Sequence, residues 1–182
     1  DGSAEIVNRR IAGLANVRLL RHELNRGPGA ARNTILQAAA GEFVAFFDDD
    51  DESMPNRISA QMRRLLAYEG ETGARLVACY ASGERRYPNG YTMPLQAIGS
   101  IPGEEPAGNM MADYLLFFRR VPGRFYGTGV PSCALLARTS TFAAVGGFDS
   151  TLRRVEDVDL AIRLARAGAH FIGTAEKLFV QY

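Results

Sequence analysis

The chain has 182 residues, 47% of them hydrophobic and 23% charged, with a formal net charge of +1. That length suits a single domain, residues 1–182, with one sizeable core, and the near-neutral balance argues against a nucleic-acid binder, which would carry a concentrated basic excess. Cys79 and Cys133 lie far apart and outside any CxxC pair, so a disulfide framework or zinc module is disfavoured and both read as reduced, buried thiols.

Residues 3–13 read as a helix with Gly13 near its end, and residues 17–20 as a short strand. The turn Asn25-Arg-Gly-Pro-Gly29 opens a second helix that runs to about Ala40 and stops at Gly41, with proline just inside the start and glycine just past the end. Phe43-Val-Ala-Phe-Phe47 is a continuous apolar run and reads as a strand buried on both faces. A third helix starts at Pro55 and reaches about Tyr68, and residues 76–80 form another strand.

This alternation predicts a three-layer α/β/α arrangement with a mainly parallel sheet. Residues 82–109 then make a Gly- and Pro-rich excursion with a hairpin around Pro88-Asn-Gly90. A helix near 107–119, a strand near 134–137, a short helix over 139–145, a helix over 156–167 and a strand near 170–173 complete the chain.

Asp48-Asp-Asp-Asp-Glu52 follows the buried run at its C-terminal end, the edge at which open α/β sheets bind ligands. Four consecutive carboxylates repel one another, and a divalent cation with phosphate ligands would make their gathering favourable. The dipole of the helix from Pro55 accounts for Glu52 and one aspartate but not for the run. An EF-hand is disfavoured, because Ser53 stands where its glycine would be.

On a helical plot of the second helix, Arg32 falls inside the apolar stripe of Ile35, Leu36, Ala38 and Ala39. It is either a buried ion-pair partner or a residue that reaches a phosphate or base, next to a helix N-terminus suited to an anion. In the helix from Glu156, a polar arc holds Glu156, Asp159, Arg163 and Arg166, with Asp159 and Arg163 paired at i,i+4. Asp157 lies on an apolar side with Leu160, Ala161 and Leu164, where it is either a cap or a poised base.

Several motifs occur in order along almost the whole chain. They are Asn25-x-Gly27-x-x-Ala30-Ala31-Arg32-Asn33, then Ala40-Gly41-Glu42-Phe43-Val44-x-Phe46-Phe47-Asp48-x-Asp50-Asp51, then Met54-Pro55 with Arg57-Ile58. Gly146-Gly147-Phe148-Asp149 and Glu156-Asp157-x-Asp159-Leu160 with Arg163-Leu164 follow. Together they resemble the family 2 glycosyltransferases, which have the GT-A fold. In that likeness Asp1-Gly2-Ser3 is the end of an Asp-Asp-Gly-Ser turn, so the first strand and its nucleotide-holding loop are expected upstream of residue 1.

The resemblance implies an inverting, metal-assisted transfer of sugar from a nucleotide-sugar donor, a UDP-sugar ahead of a GDP- or dTDP-sugar, to a glycan, lipid-linked or other hydroxyl acceptor. Asp48 and Asp50 match the DxD motif, touching ribose and a Mn²⁺ or Mg²⁺ ion, with Asp51 as a further metal ligand. Asp1 and Arg32 match donor contacts, Asp157 the general base and Glu156 its companion. The family's second DxD position is variable, and here it is Asp49.

Two other readings are a catalytically silent GT-A domain that binds a sugar nucleotide or glycan, and a nucleotidyltransferase of similar architecture. His22 and His170 are isolated and read as structural, and no Gly-x-Ser-x-Gly or P-loop is present. No apolar run reaches the roughly 18–20 residues that span a bilayer. A cytoplasmic enzyme is the default expectation, tied to a membrane face only through segments outside this chain.

Overall fold

The computed structural model describes residues 2–182. The helices are α1 (Ser3–Ile11), α2 (Gly27–Ala38), α3 (Arg57–Thr72), α4 (Asn109–Phe117), α5 (Thr139–Ala143) and α6 (Glu156–Arg166). The strands are β1 (Phe43–Ala45), β2 (Asp51–Ser53), β3 (Val77–Arg86), β4 (Thr92–Leu95), β5 (Leu135–Arg138) and β6 (His170–Gln181).

One six-stranded sheet runs in the order β1-β5-β3-β6-β2, and β4 pairs with the distal part of β3. Alternate residues of the central strands face opposite layers, as the period of two requires. Val77, Cys79, Leu136 and Ile172 meet Leu65 and Tyr68 of α3 on one face. Ala78, Tyr80, Leu135, Ala137 and Phe171 belong to the larger cluster, with Met111 of α4, Phe142 of α5 and Leu160 and Leu164 of α6. The three-layer expectation therefore stands.

The mainly parallel expectation does not: only β3 and β6 run parallel, and the other four pairings are antiparallel. Two local causes account for this. Residues 17–20 form no strand, so a pairing counted from their pattern is missing. The long excursion after β3 also returns the chain as β5, antiparallel between β1 and β3. β1 is correspondingly shorter than the apolar run, and Phe47 is exposed.

α6 shows why its segment is helical. Leu160, Ala161, Leu164 and Ala165 recur one turn apart and are fully buried, while acids fill the first turn and Arg163 and Arg166 the last, complementing the dipole. Burying each leucine contributes about 1.5–3 kcal/mol.

The excursion is pinned to the sheet at Gly99. Its N–H donates to the Phe125 carbonyl (2.9 Å), its own carbonyl accepts from Gly173 N–H (3.0 Å), and its φ is +59°. A Cβ there would fall on the Phe171 carbonyl oxygen and against Ile172 Cα. Gly99→Ala is expected to cost more than about 2 kcal/mol, because left-handed strain adds to a backbone collision; urea unfolding against the parent chain checks this.

Candidate functional site

The site starts from the N-terminal end of α2. Asn25 Oδ1 accepts from Gly27 N–H (2.9 Å), which closes the turn that starts the helix. Two residues along, Gly29 lets the helix press against the 148–149 backbone, since a Cβ there would stand 2.9 Å from the Asp149 carbonyl oxygen. Asn33 then exchanges two hydrogen bonds with Phe148: its Nδ2 donates to the Phe148 carbonyl, and its Oδ1 accepts from the Phe148 N–H, both at 2.8 Å. Arg163 holds the same turn from the other side, donating to the Val145 and Gly147 carbonyls while it pairs with Asp159 (2.6 Å). The Gly-Gly-Phe-Asp segment is thus the clasp between α2 and α6.

Arg32 completes that junction. Its guanidinium lies over the Phe148 ring, donates to Glu156 Oε1 at 2.5 Å and reaches Asp48 Oδ1 at 3.3 Å. Of the two expectations for Arg32, the buried ion pair is the contact observed. Glu156 leaves the polar arc in which the helical plot put it: it is 8% exposed, because Arg32 arrives from another helix to neutralise it. The run after β1 and the start of α6 therefore meet through one guanidinium.

The aspartates do not act as one block. Asp51 N–H donates to the Asp48 carbonyl (3.4 Å), so residues 49 and 50 form an exposed turn and Asp51 returns to the sheet as the first residue of β2, opposite Gln181 of β6. Both carboxylate oxygens of Asp51 are buried and receive no hydrogen bond from a donor of normal geometry. The Cys133 thiol beside them gives only a weak contact favouring the ionised form. Burial, then the Asp48 and Asp50 charges, hold the Asp51 carboxyl above its ordinary range.

Ligand atoms of Asp48, Asp51 and Cys133 lie within 4.8 Å of one another, the one such acidic and thiol group among the described residues. The orphaned Asp51 carboxylate, with the Arg32-bound carboxylate of Asp48 close by, fits a hard divalent cation. Cys133 is the weaker donor, because burial and then Asp51 push its thiol up to about 12. Asp50 stays outside this group.

Beneath the group lies Arg57, 1% exposed. It donates to the Phe46 carbonyl (3.0 Å), the Cys133 carbonyl (2.5 Å) and Gln61 Oε1 (3.1 Å), and its guanidinium lies over Phe47.

Asp157 lines a cleft of about 270 Å³ with Tyr80, Arg85, Leu95, residues 128–131 and Gln181. Its Oδ1 accepts from Val158 N–H (2.8 Å), while burial and then Glu156 raise its carboxyl above the ordinary value. The preceding Val155 has φ +58°, a rare conformation for a β-branched residue, and it sets the start of α6. Residues 48–51 do not line this cleft; Gln181, the strand partner of Asp51, does.

Comparison with known proteins decides the family. The Glycosyl transferase family 2 model matches residues 1–130. The chain belongs to glycosyl transferase family 2. A "Pre-mycofactocin glycosyltransferase" of Mycobacterium tuberculosis is 34% identical over 159 residues, 85% of this chain and 30% of that protein. The "Amylovoran biosynthesis glycosyltransferase AmsB" of Erwinia amylovora is 28% identical over 178 residues, 96% of this chain and 53% of its own. The chain thus spans about a third to a half of the curated relatives it matches. The crystal structure of S. aureus TarS 1–349 in complex with UDP-GlcNAc superposes with a TM-score of 0.64 at 16% identity, covering 99% of this chain and 46% of that one, which shows a shared GT-A fold.

Against the family 2 pattern, the structure brings Arg32, Asp48 and Glu156 into contact, sets Asp157 beside Glu156 at a cleft, and leaves Asp50 on an exposed turn. Asp1 lies outside the described residues. Sequence reasoning missed Cys133, Tyr80, Arg85 and Gln181. Cys133 has no partner motif, Tyr80 lies inside the predicted strand with nothing to mark it, and Arg85 and Gln181 reach the cleft because β3 and β6 run longer than predicted. The two histidines are engaged away from the site, His22 with Thr34 Oγ1 and His170 with Tyr68 Oη, each at 2.8 Å.

Proposed function

We propose that this chain is the catalytic core of an inverting glycosyltransferase that moves a sugar from a nucleoside-diphosphate sugar to an acceptor hydroxyl. The observation that supports the reading is Arg32 bound to both Asp48 and Glu156, which ties the aspartate run to the start of α6, next to Asp157. Sharing a fold with TarS crystallised with UDP-GlcNAc puts a UDP-sugar first among donors.

In this mechanism Asp157 accepts the proton of the acceptor hydroxyl as its oxygen bonds to the anomeric carbon. The bond from that carbon to the diphosphate oxygen breaks, and the electron pair leaves with the nucleoside diphosphate. The apolar wall of Tyr80, Leu95 and Val130 beside Asp157 keeps water from competing for the base. Asp48 and Asp51, rather than Asp50 on its exposed turn, are the residues that would hold Mn²⁺ or Mg²⁺; such an ion, when bound, would offset the charge gained by the departing diphosphate. Arg32 holds Asp48 and Glu156 in place and offers a guanidinium to a donor phosphate.

The test is release of nucleoside diphosphate from a panel of donors and hydroxyl acceptors, with Mn²⁺ or with a chelator. Release should require the cation. It should also rise with pH through a midpoint above the ordinary carboxylate value of about 3.9, because the working form of Asp157 is ionised and its carboxyl is held up by burial. Turnover indifferent to chelation would remove the metal from the mechanism, and no turnover of any donor would remove the mechanism.

A further inference from the structure

The C-terminal end of α4 carries apolar side chains that the fold does not use. Phe118 is 82% exposed, the most exposed large apolar residue among those described; Phe117 is 60% exposed, and Leu116 and Val121 are exposed beside them. Phe118 also sits at φ +55° in the left-handed region, just past the helix, where glycine is the usual residue. Its N–H donates to the Tyr114 carbonyl (2.8 Å), so the conformation is fixed by the helix end. Such a backbone costs a non-glycine residue stability. In return Phe118 makes only an edge contact with Tyr114.

Charge completes the pattern. From Tyr114 to Tyr126 the sequence holds three arginines and no acid. Arg119 lies over the Phe117 ring and Arg120 over the Tyr114 ring. Neither enters an ion pair among the described residues. Arg124 is turned inward to the Gly103 and Gly123 carbonyls.

We infer that this turn is a docking surface for an anionic lipid bilayer: Phe117 and Phe118 enter the boundary between headgroups and acyl chains, and Arg119 and Arg120 take the lipid phosphates. Aromatic rings with arginines alongside suit that boundary, where an apolar body and a cation are both satisfied. Unneutralised arginines add attraction to an anionic surface. Four exposed apolar side chains are few against the roughly 20–30 residues a side of a stable protein interface, which favours a bilayer over a protein partner. No described helix is long and apolar enough to cross a membrane, so the contact is peripheral. The surface sits next to the lining of the Asp157 cleft, because the Tyr126 ring packs at a tilt against Tyr114 (centroids 4.3 Å apart) and leads into residues 128–131. The inference does not depend on the proposed reaction.

The chain contains no tryptophan, so Phe118→Trp places a single reporter in the turn. Flotation with phosphatidylcholine/phosphatidylglycerol vesicles should carry the protein up, and pure phosphatidylcholine should not. The Trp emission should shift to the blue and be quenched by brominated acyl chains. Phe117→Ser with Phe118→Ser should reduce partitioning at least about tenfold, and Arg119→Gln and Arg120→Gln about fivefold each, all with unchanged Tm.

Absence of flotation, flotation that survives the double serine variant, or an unshifted Trp spectrum on bound protein would each overturn the inference. So would a dimer in light scattering that the serine variant abolishes, which would make the patch a protein interface.

Discussion

On the proposed mechanism, Asp157→Asn is expected to lower turnover by about 10²–10⁴-fold and to leave donor affinity unchanged. The factor is what removing a positioned general base costs, and asparagine is nearly isosteric and can still accept the Val158 N–H bond that Asp157 makes through Oδ1. Stability should move the other way. The Asp157 carboxyl is raised mainly by burial, so the folded chain holds that proton more tightly than the unfolded one. Such a group favours the fold at low pH, and the contribution is lost as pH rises from the ordinary carboxylate value through the raised one. Above the raised value the ionised Asp157 therefore opposes folding, and the amide removes that cost. A Tm equal to or above that of the parent, with turnover gone and donor still bound in calorimetry, is the expected result. A fall in Tm with weaker donor binding would make Asp157 a structural cap.

The second large effect is on stability. Arg57→Met is expected to cost about 3–5 kcal/mol in urea unfolding, the usual consequence of removing one member of a buried charged network. Methionine fills most of the volume, so the loss is electrostatic and hydrogen-bonding. The Phe46 and Cys133 carbonyls and Gln61 Oε1 lose a donor inside the core. Asp51 and Asp48 lose the cation whose charge they share. Arg57→Lys should recover only part of this, since a single ammonium cannot serve three acceptors on diverging sides. An unfolding midpoint within about 1 kcal/mol of the parent would mean that water replaces the guanidinium, and that the carbonyls before Asp48 and at Cys133 are held by other contacts.

Periodicity and punctuation carried much of this fold. The apolar spacing of α6 and the Pro–Gly frame of α2 located both helices that build the site, and Pro88-Asn-Gly90 located the hairpin between β3 and β4. Pairing direction was not legible. Residues 17–20 have a strand's composition but no ladder partner, and β5 enters the sheet antiparallel through a connection whose path no local pattern encodes. β2 was hidden because acidic residues are poor strand formers; it exists because β6 extends to Gln181 and offers an edge. Near the cleft, the apolar side of α6 on which Asp157 lies was readable, and it left the choice between cap and base open. The burial of Glu156 was not, since it depends on Arg32, 124 positions away. Cys133 was invisible for the same reason: a thiol gains meaning only beside Asp48 and Asp51.

The clasp between Asn33 and Phe148 spans 115 positions of chain. During synthesis, Arg32 and the acidic run leave the ribosome long before the turn that will fasten them. A nascent polypeptide ending short of that turn has α2 without its dock and no Glu156 for the guanidinium. The Arg32 junction is therefore a late product of folding, assembled only once the chain through the start of α6 is available, and a premature stop before Phe148 leaves α2 without its dock.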